Sequence, residues 1–233
     1  MLTVTEHLEE LRRRLGISLL AFVIAAGISL SQAGRLIAWL KRPADPLLAR
    51  LAFFSPTEPI AAYAKVIALA ALILSLPVLL WQVWAFVRPG LTATERMRGL
   101  GFVWWGCLNF LLGAAFAYYV LLPASLKVLL GIGSGLLEPI ISIDRYLGFV
   151  TTLVFWCGAV FELPVVIVLL ARIGIVTPEW LSQQRSYAIL ILVTLAAIVT
   201  PTTDAVTLIL LSIPLIGLYE LSILMARLAR PRR

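Results

Sequence analysis

Apolar residues run through this chain in long stretches separated by short charged clusters, and the gaps between charges carry the first expectation. A helix needs about 20 mostly apolar residues to cross about 30 Å of hydrocarbon. Leu15 to Gly34 carries no charge, and neither do Val66 to Val87 or Gly99 to Leu126. Tyr146 to Ala171 is interrupted only by Glu162, and Ala205 to Ala226 only by Glu220. Ser186 to Thr203 is free of charge but contains Pro201. The pattern predicts an all-α polytopic membrane protein with six transmembrane helices in one domain, 1–233. The spans cover about residues 15–34, 62–87, 99–123, 146–171, 187–200 and 205–226.

Spans five and six are expected to be short. Tyr187 to Thr200 extends only about 21 Å as a helix, Pro201 stops it, and Pro214 interrupts the span that follows. Such a pair sits in a bilayer if the lipid thins or if neighbouring helices and water cover the ends. Between spans one and two, Leu36, Ile37, Trp39 and Leu40 alternate with Arg35, Lys41 and Arg42, an amphipathic arrangement suited to the membrane interface. Trp81, Trp84, Trp104 and Trp105 flank the connection between spans two and three, as interfacial aromatics should. No internal repeat is visible.

Charge sets the orientation. An even number of spans puts both termini on one side, and twelve basic residues lie on that side, Arg12, Arg13 and Arg14 among them, against seven on the other. By the positive-inside rule both termini are cytoplasmic. With 61% apolar and 13% charged residues the chain is far from a soluble domain, which is about half apolar and a quarter charged. The net charge of +7 is the same positive-inside bias, because no Lys/Arg run interleaves with aromatics as a nucleic-acid groove requires. The N-terminal stretch contains Glu6, Glu9 and Glu10 and no small-residue cleavage site follows the first apolar run, so that run is expected to remain as a helix. Cys107 and Cys157 lie in apolar runs outside any C-x-x-C pair and read as small buried hydrophobes. The single histidine, His7, lies outside the spans, which excludes a bis-histidine haem. No cofactor, metal site or enzyme activity is expected.

Polar groups in the apolar runs are the candidate functional residues. Glu162, in Phe161-Glu162-Leu163-Pro164, lies two-thirds of the way along span four. A carboxylate there costs at least about 2.5 kcal/mol unless it is neutral, paired or facing a wet cavity. Its mundane alternative is a protonated acid bonded to a carbonyl freed by Pro164. Glu220 is expected to pair with Arg227 or snorkel, Asp204 to cap span six, and Lys65 to snorkel or pair with Glu58. On the cytoplasmic side Glu10 and Arg14 form an i,i+4 pair, and Thr92 with Glu95 has capping-box spacing.

Several motifs in order resemble one family. His7-Leu8-Glu9-Glu10-Leu11-Arg12-Arg13-Arg14-Leu15 is similar to the HLxELRxRL opening of TatC proteins, and Phe54-Ser55-Pro56-Thr57-Glu58-Pro59 to their F-x-P-x-E-P segment. Trp81 to Leu91 followed by Glu95-Arg96, then Phe116-Ala117-Tyr118-Tyr119-Val120, Phe161 to Pro164, Thr200-Pro201 with Asp204, and Pro214 with Leu218-Tyr219-Glu220 continue the likeness from residue 7 to about 227. The resemblance implies a subunit that recognises twin-arginine signal peptides of folded cargo proteins. With single-span TatA/TatB-type subunits, and with self-association in the bilayer, it supports transport driven by the proton-motive force. It assigns the arginine pair to Glu10 and Glu95 with Arg12 in support, and places Glu162 in a concave polar cavity. Phe54, Pro56, Glu58, Asp204, Tyr219 and Glu220 become partner or structural candidates, and the location becomes the cytoplasmic membrane. The rival reading from residues alone is a small proton-coupled secondary transporter using Glu162, which the missing repeat symmetry disfavours.

Overall fold

The computed structural model describes residues 4–45, 51–90, 99–131, 140–199 and 205–229. Helix α1 (Val4–Lys41) leads to a short strand, β1 (Leu51–Ala52), and then to α2 (Glu58–Val87), which closes in a 3-10 turn, Arg88–Gly90. Helix α3 (Gly99–Phe116) passes through a π-helical segment, Ala117–Leu121, into α4 (Leu122–Gly131). Strand β2 (Ile141–Ser142) precedes α5 (Ile143–Phe161) and α6 (Leu163–Arg172), which are two halves of one path. A short α7 (Pro178–Gln183), α8 (Arg185–Val199) and α9 (Ala205–Ala229) complete the described chain.

Among the described residues five stretches are long and apolar enough to cross a membrane: Leu8–Lys41, Glu58–Val87, Gly99–Gly131, Ile143–Arg172 and Thr207–Leu228. They match five of the predicted spans. The remaining one, α8, is a shorter apolar helix of 15 residues, in keeping with the expected short span five. Span six is not short, which corrects the expectation: α9 has 25 residues with Pro214 inside it, and extends about 37 Å. A proline inside a membrane helix is tolerated where neighbours satisfy the freed carbonyl, and α9 packs along both α6 and α8. The amphipathic stretch around Leu36, expected in the connection after span one, is the last part of α1, which continues through it to Lys41.

Helix α1 packs along α2, which in turn contacts α3 and α5, and α3 also packs on α5. The outer side of α1 exposes Leu15, Leu19, Leu20, Val23, Ile24 and Ile28, an apolar surface suited to a membrane interior. The core is centred on α5, where Tyr146, Leu147, Val150 and Leu153 are buried with Val66 of α2 and Leu121 and Leu122 beyond α3. Small residues set the spacing. Gly99, Gly106 and Gly113 recur every seventh position on the buried face of α3. A Cβ on Gly113 would lie 2.5 Å from the Cys157 carbonyl oxygen, and one on Gly158 would lie 2.6 Å from the Phe110 ring. The two backbones therefore touch, the arrangement by which membrane helices gain contact without a hydrophobic drive between them.

One end of the bundle carries a cap. Strands β1 and β2 pair in parallel, Leu51 opposite Ile141 and Ala52 opposite Ser142. The last carbonyls of α1, which have no intrahelical donor, receive tyrosine hydroxyls: Tyr118 donates to Trp39 O at 2.6 Å and Tyr146 to Leu40 O at 2.9 Å. The Trp39 and Tyr118 rings stack at 4.2 Å.

The α3–α5 seam makes a differential prediction. Gly113→Ala forces a methyl against backbone and is expected to cost about 1–3 kcal/mol. Gly101→Ala on the same helix meets nothing within 4 Å and should be harmless. Thermal unfolding in detergent separates them: equal midpoints for the two variants would mean that the helices do not pack as described.

Candidate functional site

At the end of the bundle where α1 begins, the first three turns of α1 place Glu6, Glu9, Glu10, Arg13 and Arg14 around a cavity of about 690 Å³, with Pro89 beyond the end of α2 on its border. Arg14 holds Glu10: its Nε donates to Glu10 Oε1 at 3.0 Å, and its Nη2 donates to the same oxygen. The pair is half-buried. Helical spacing makes it local, since residues four apart share a face, and this is the pairing expected from sequence. Unforeseen is Gln82 of α2, whose Oε1 accepts from Arg14 Nη1 at 3.4 Å. A polar residue amid Trp81, Val83 and Trp84 was the available signal. Arg12 is exposed and does not line the cavity; Arg13 and Arg14 do. Glu95 and its capping-box partner Thr92 lie outside the described residues.

Glu162 stands at the break between α5 and α6. Its backbone N–H reaches Ala159 O at 3.2 Å and its carbonyl accepts from Val166 N at 3.0 Å. Pro164 supplies no N–H, so the helix restarts there rather than running straight. Both carboxyl oxygens are buried without a hydrogen-bond partner among the described residues. A Cβ on Gly106 would lie 3.2 Å from Oε2. The side chain thus lies against α3, and no carbonyl among the described residues accepts a hydrogen bond from it.

At the opposite end, Glu58 ties two connections together. Its Oε2 accepts from Phe54 N at 3.1 Å and from Ser142 Oγ at 2.7 Å. The expected Glu58–Lys65 pair is absent: seven residues separate the two by about 10 Å along the helix, and Lys65 Nζ instead meets Asp144 Oδ1 at 2.6 Å. Phe54 and Pro56 are exposed. Glu220 pairs not with Arg227, equally distant along its own helix, but with Arg185 at 2.8 Å, the residue that starts α8. Tyr219 donates to Leu181 O at 2.8 Å, so α7, α8 and α9 are joined at one end. Asp204 lies outside the described residues.

Comparison with known proteins places this architecture. The family profile of Sec-independent protein translocase protein (TatC) matches residues 6–214. The chain belongs to the TatC family. A TatC protein of Aquifex aeolicus is 40% identical over 237 residues, covering 99% of this chain and 97% of that protein. A Helicobacter pylori TatC is 37% identical over 97% of this chain and 89% of its own length. A crystal structure described as the twin-arginine translocase receptor TatC superposes with a TM-score of 0.84 at 40% identity, over 96% of this chain and 99% of that one. TatC membership agrees with the several apolar helices of a multi-pass membrane protein.

A TatC fold that needed only stability would gain by losing the acid at the α5–α6 break. Glu162→Leu removes an unpartnered buried carboxyl costing at least about 2.5 kcal/mol and is expected to raise the unfolding midpoint in detergent. A fall in the midpoint would show that the carboxyl has a stabilising partner.

Proposed function

We propose that this TatC-family chain is the receptor subunit of a twin-arginine protein translocase. It crosses the cytoplasmic membrane six times as one domain with both termini in the cytoplasm. It binds twin-arginine signal peptides through Glu10 and Glu95. With single-span TatA/TatB-type subunits it supports transport of folded proteins driven by the proton-motive force. Exposed Phe54 and Pro56 and the α8–α9 pair are its partner-facing candidates, and it carries out no bond chemistry.

The observation that carries this reading is the Glu10 carboxylate at a water-accessible cavity, already engaged by a guanidinium. Charge-assisted bonds from arginine to carboxylate are the strong ones, and half-burial strengthens them. Arg14 is then a resident stand-in for one signal arginine. An incoming guanidinium takes its place on Glu10, and Gln82 keeps an acceptor within reach of the displaced Arg14.

Binding of a twin-arginine peptide to the purified chain, with a twin-lysine peptide as control, tests both parts. Lysine carries the charge without the planar fork, so arginine-selective binding is expected. Glu95→Gln should weaken it about tenfold or more, the worth of one charge-assisted bond, and Glu10→Gln should weaken it less, because the bond gained at Glu10 replaces the Arg14 bond lost. Arg14→Gln removes the competitor and should tighten it. Equal weak binding of both peptides, untouched by the acid substitutions, sinks the receptor reading; weaker binding in Arg14→Gln sinks only the exchange.

Six passes rest on α8 crossing despite its length, and on the twelve-to-seven distribution of basic residues. A cysteine added after Arg233 should react with an impermeant maleimide only when the cytoplasmic face is opened. Labelling of intact cells would refute the topology.

A further inference from the structure

Beside the end of α2, where α6 finishes and α3 begins, an apolar pocket of about 420 Å³ opens between α3, α6 and α9. Trp84, Phe102, Trp105, Val165, Leu169 and Met225 line it, together with one charged residue, Arg172. Arg172 occupies the last turn of α6, about 10 Å along the helix from Val165. The pocket is therefore long, apolar over most of its length, and cationic at the end nearer the membrane surface.

Arg172 differs from its neighbours. Arg14 and Arg185, at the same end of the bundle, each hold a carboxylate. Arg172 makes no hydrogen bond or ion pair among the described residues, and its Nε is buried without an acceptor. The helix C-terminus favours a cation there, but it gives the buried N–H nothing to bond. Among the described residues no anion faces the group, and its Nε is shielded from water.

We propose that this pocket binds an anionic phospholipid, with its phosphate on the Arg172 guanidinium and one acyl chain running past Phe102 and Trp105 toward Val165. The planar guanidinium matches phosphate oxygens two at a time. Trp105 is 59% exposed and Trp104 74%, the placement of aromatics at headgroup depth. The cytoplasmic leaflet supplies anionic headgroups at that level. A signal peptide is the wrong occupant by charge, since its arginine pair would be repelled by Arg172. The site stands apart from Glu10 and does not depend on the receptor reading.

Native mass spectrometry of the full chain, with phosphatidylglycerol or phosphatidylcholine titrated in, reads the site directly. Retained phosphatidylglycerol is expected in preference to phosphatidylcholine. Arg172→Gln should lose that preference by about tenfold, Arg172→Lys should keep part of it, and Arg227→Gln, an exposed arginine at the same end, should keep all of it. Brominated phosphatidylglycerol should quench tryptophan fluorescence less in Trp105→Phe than in Trp39→Phe. Thermal unfolding of each variant establishes that it is folded. Equal retention of both lipids, or an unchanged preference in Arg172→Gln, overturns the proposal. Displacement of the lipid by inorganic phosphate alone overturns it as well, because the apolar pocket would then contribute nothing. So does a photo-reactive residue at position 105 that cross-links to a protein partner and not to lipid.

Discussion

In hydrocarbon a backbone carbonyl or a hydroxyl without a partner costs several kcal/mol, and the arrangement of this chain follows from where those partners come from. Within the spans, serine and threonine solve the problem locally. Ser29, Ser125, Thr151, Ser212 and Ser222 each donate to the carbonyl four residues back, so their hydroxyls are satisfied before any tertiary contact forms. Tyrosine cannot reach its own helix in this way. Tyr118, Tyr146 and Tyr219 instead donate to Trp39, Leu40 and Leu181, carbonyls at the ends of other segments. The local bonds leave helices free to slide; the tyrosine bonds fix which ends meet.

Between the fixed ends the helices are held by closeness alone. On the Gly99, Gly106 and Gly113 face, α3 receives the Trp84 and Leu80 side chains of α2 at its first two glycines and meets the α5 backbone at Gly113. The π-helical turn at Ala117–Leu121 then resets the face, so that Ala117, Tyr118, Leu121 and Leu122 are all buried in succession. Tyr118 is thereby aimed at Trp39 and α1. One extra residue per turn joins the glycine seam to the cap, and the same helix serves both.

Much of this was legible along the chain because it is local. Apolar gaps between charges predict the spans, and i,i+4 spacing predicts Glu10 with Arg14. The pairs that sequence spacing misassigned are long-range: Lys65 finds Asp144, Glu58 finds Ser142 and Glu220 finds Arg185. In each case the expected partner was seven residues away on one helix, within the same face yet out of reach, while the true partner arrives on a neighbouring segment. Pro214 misleads for a related reason. Its cost is set by whether other helices cover the freed carbonyl, which a single sequence does not show. The π-helical turn left no compositional mark at all, and Gln82, polar amid apolar neighbours, showed no partner until α1 and α2 lay side by side.

Among the described residues four ion pairs join charges at the two ends of the bundle, while two groups on the α5–α6 path carry buried polar atoms with no partner. Glu162 and Arg172 are ten residues apart, about 15 Å, too far to neutralise each other. Apolar side chains would serve the fold better at both. In the proposed receptor Glu10 represents the opposite strategy, a carboxylate kept satisfied by Arg14 until a signal arginine comes. Replacing one guanidinium by another leaves the desolvation of the site nearly unchanged, so the exchange at Glu10 is close to neutral. Net affinity must then come from a second contact that the free protein does not already make. A lone arginine gains little from exchange, whereas an arginine pair brings one guanidinium that displaces nothing. On this account, preference for two arginines follows from the resident one.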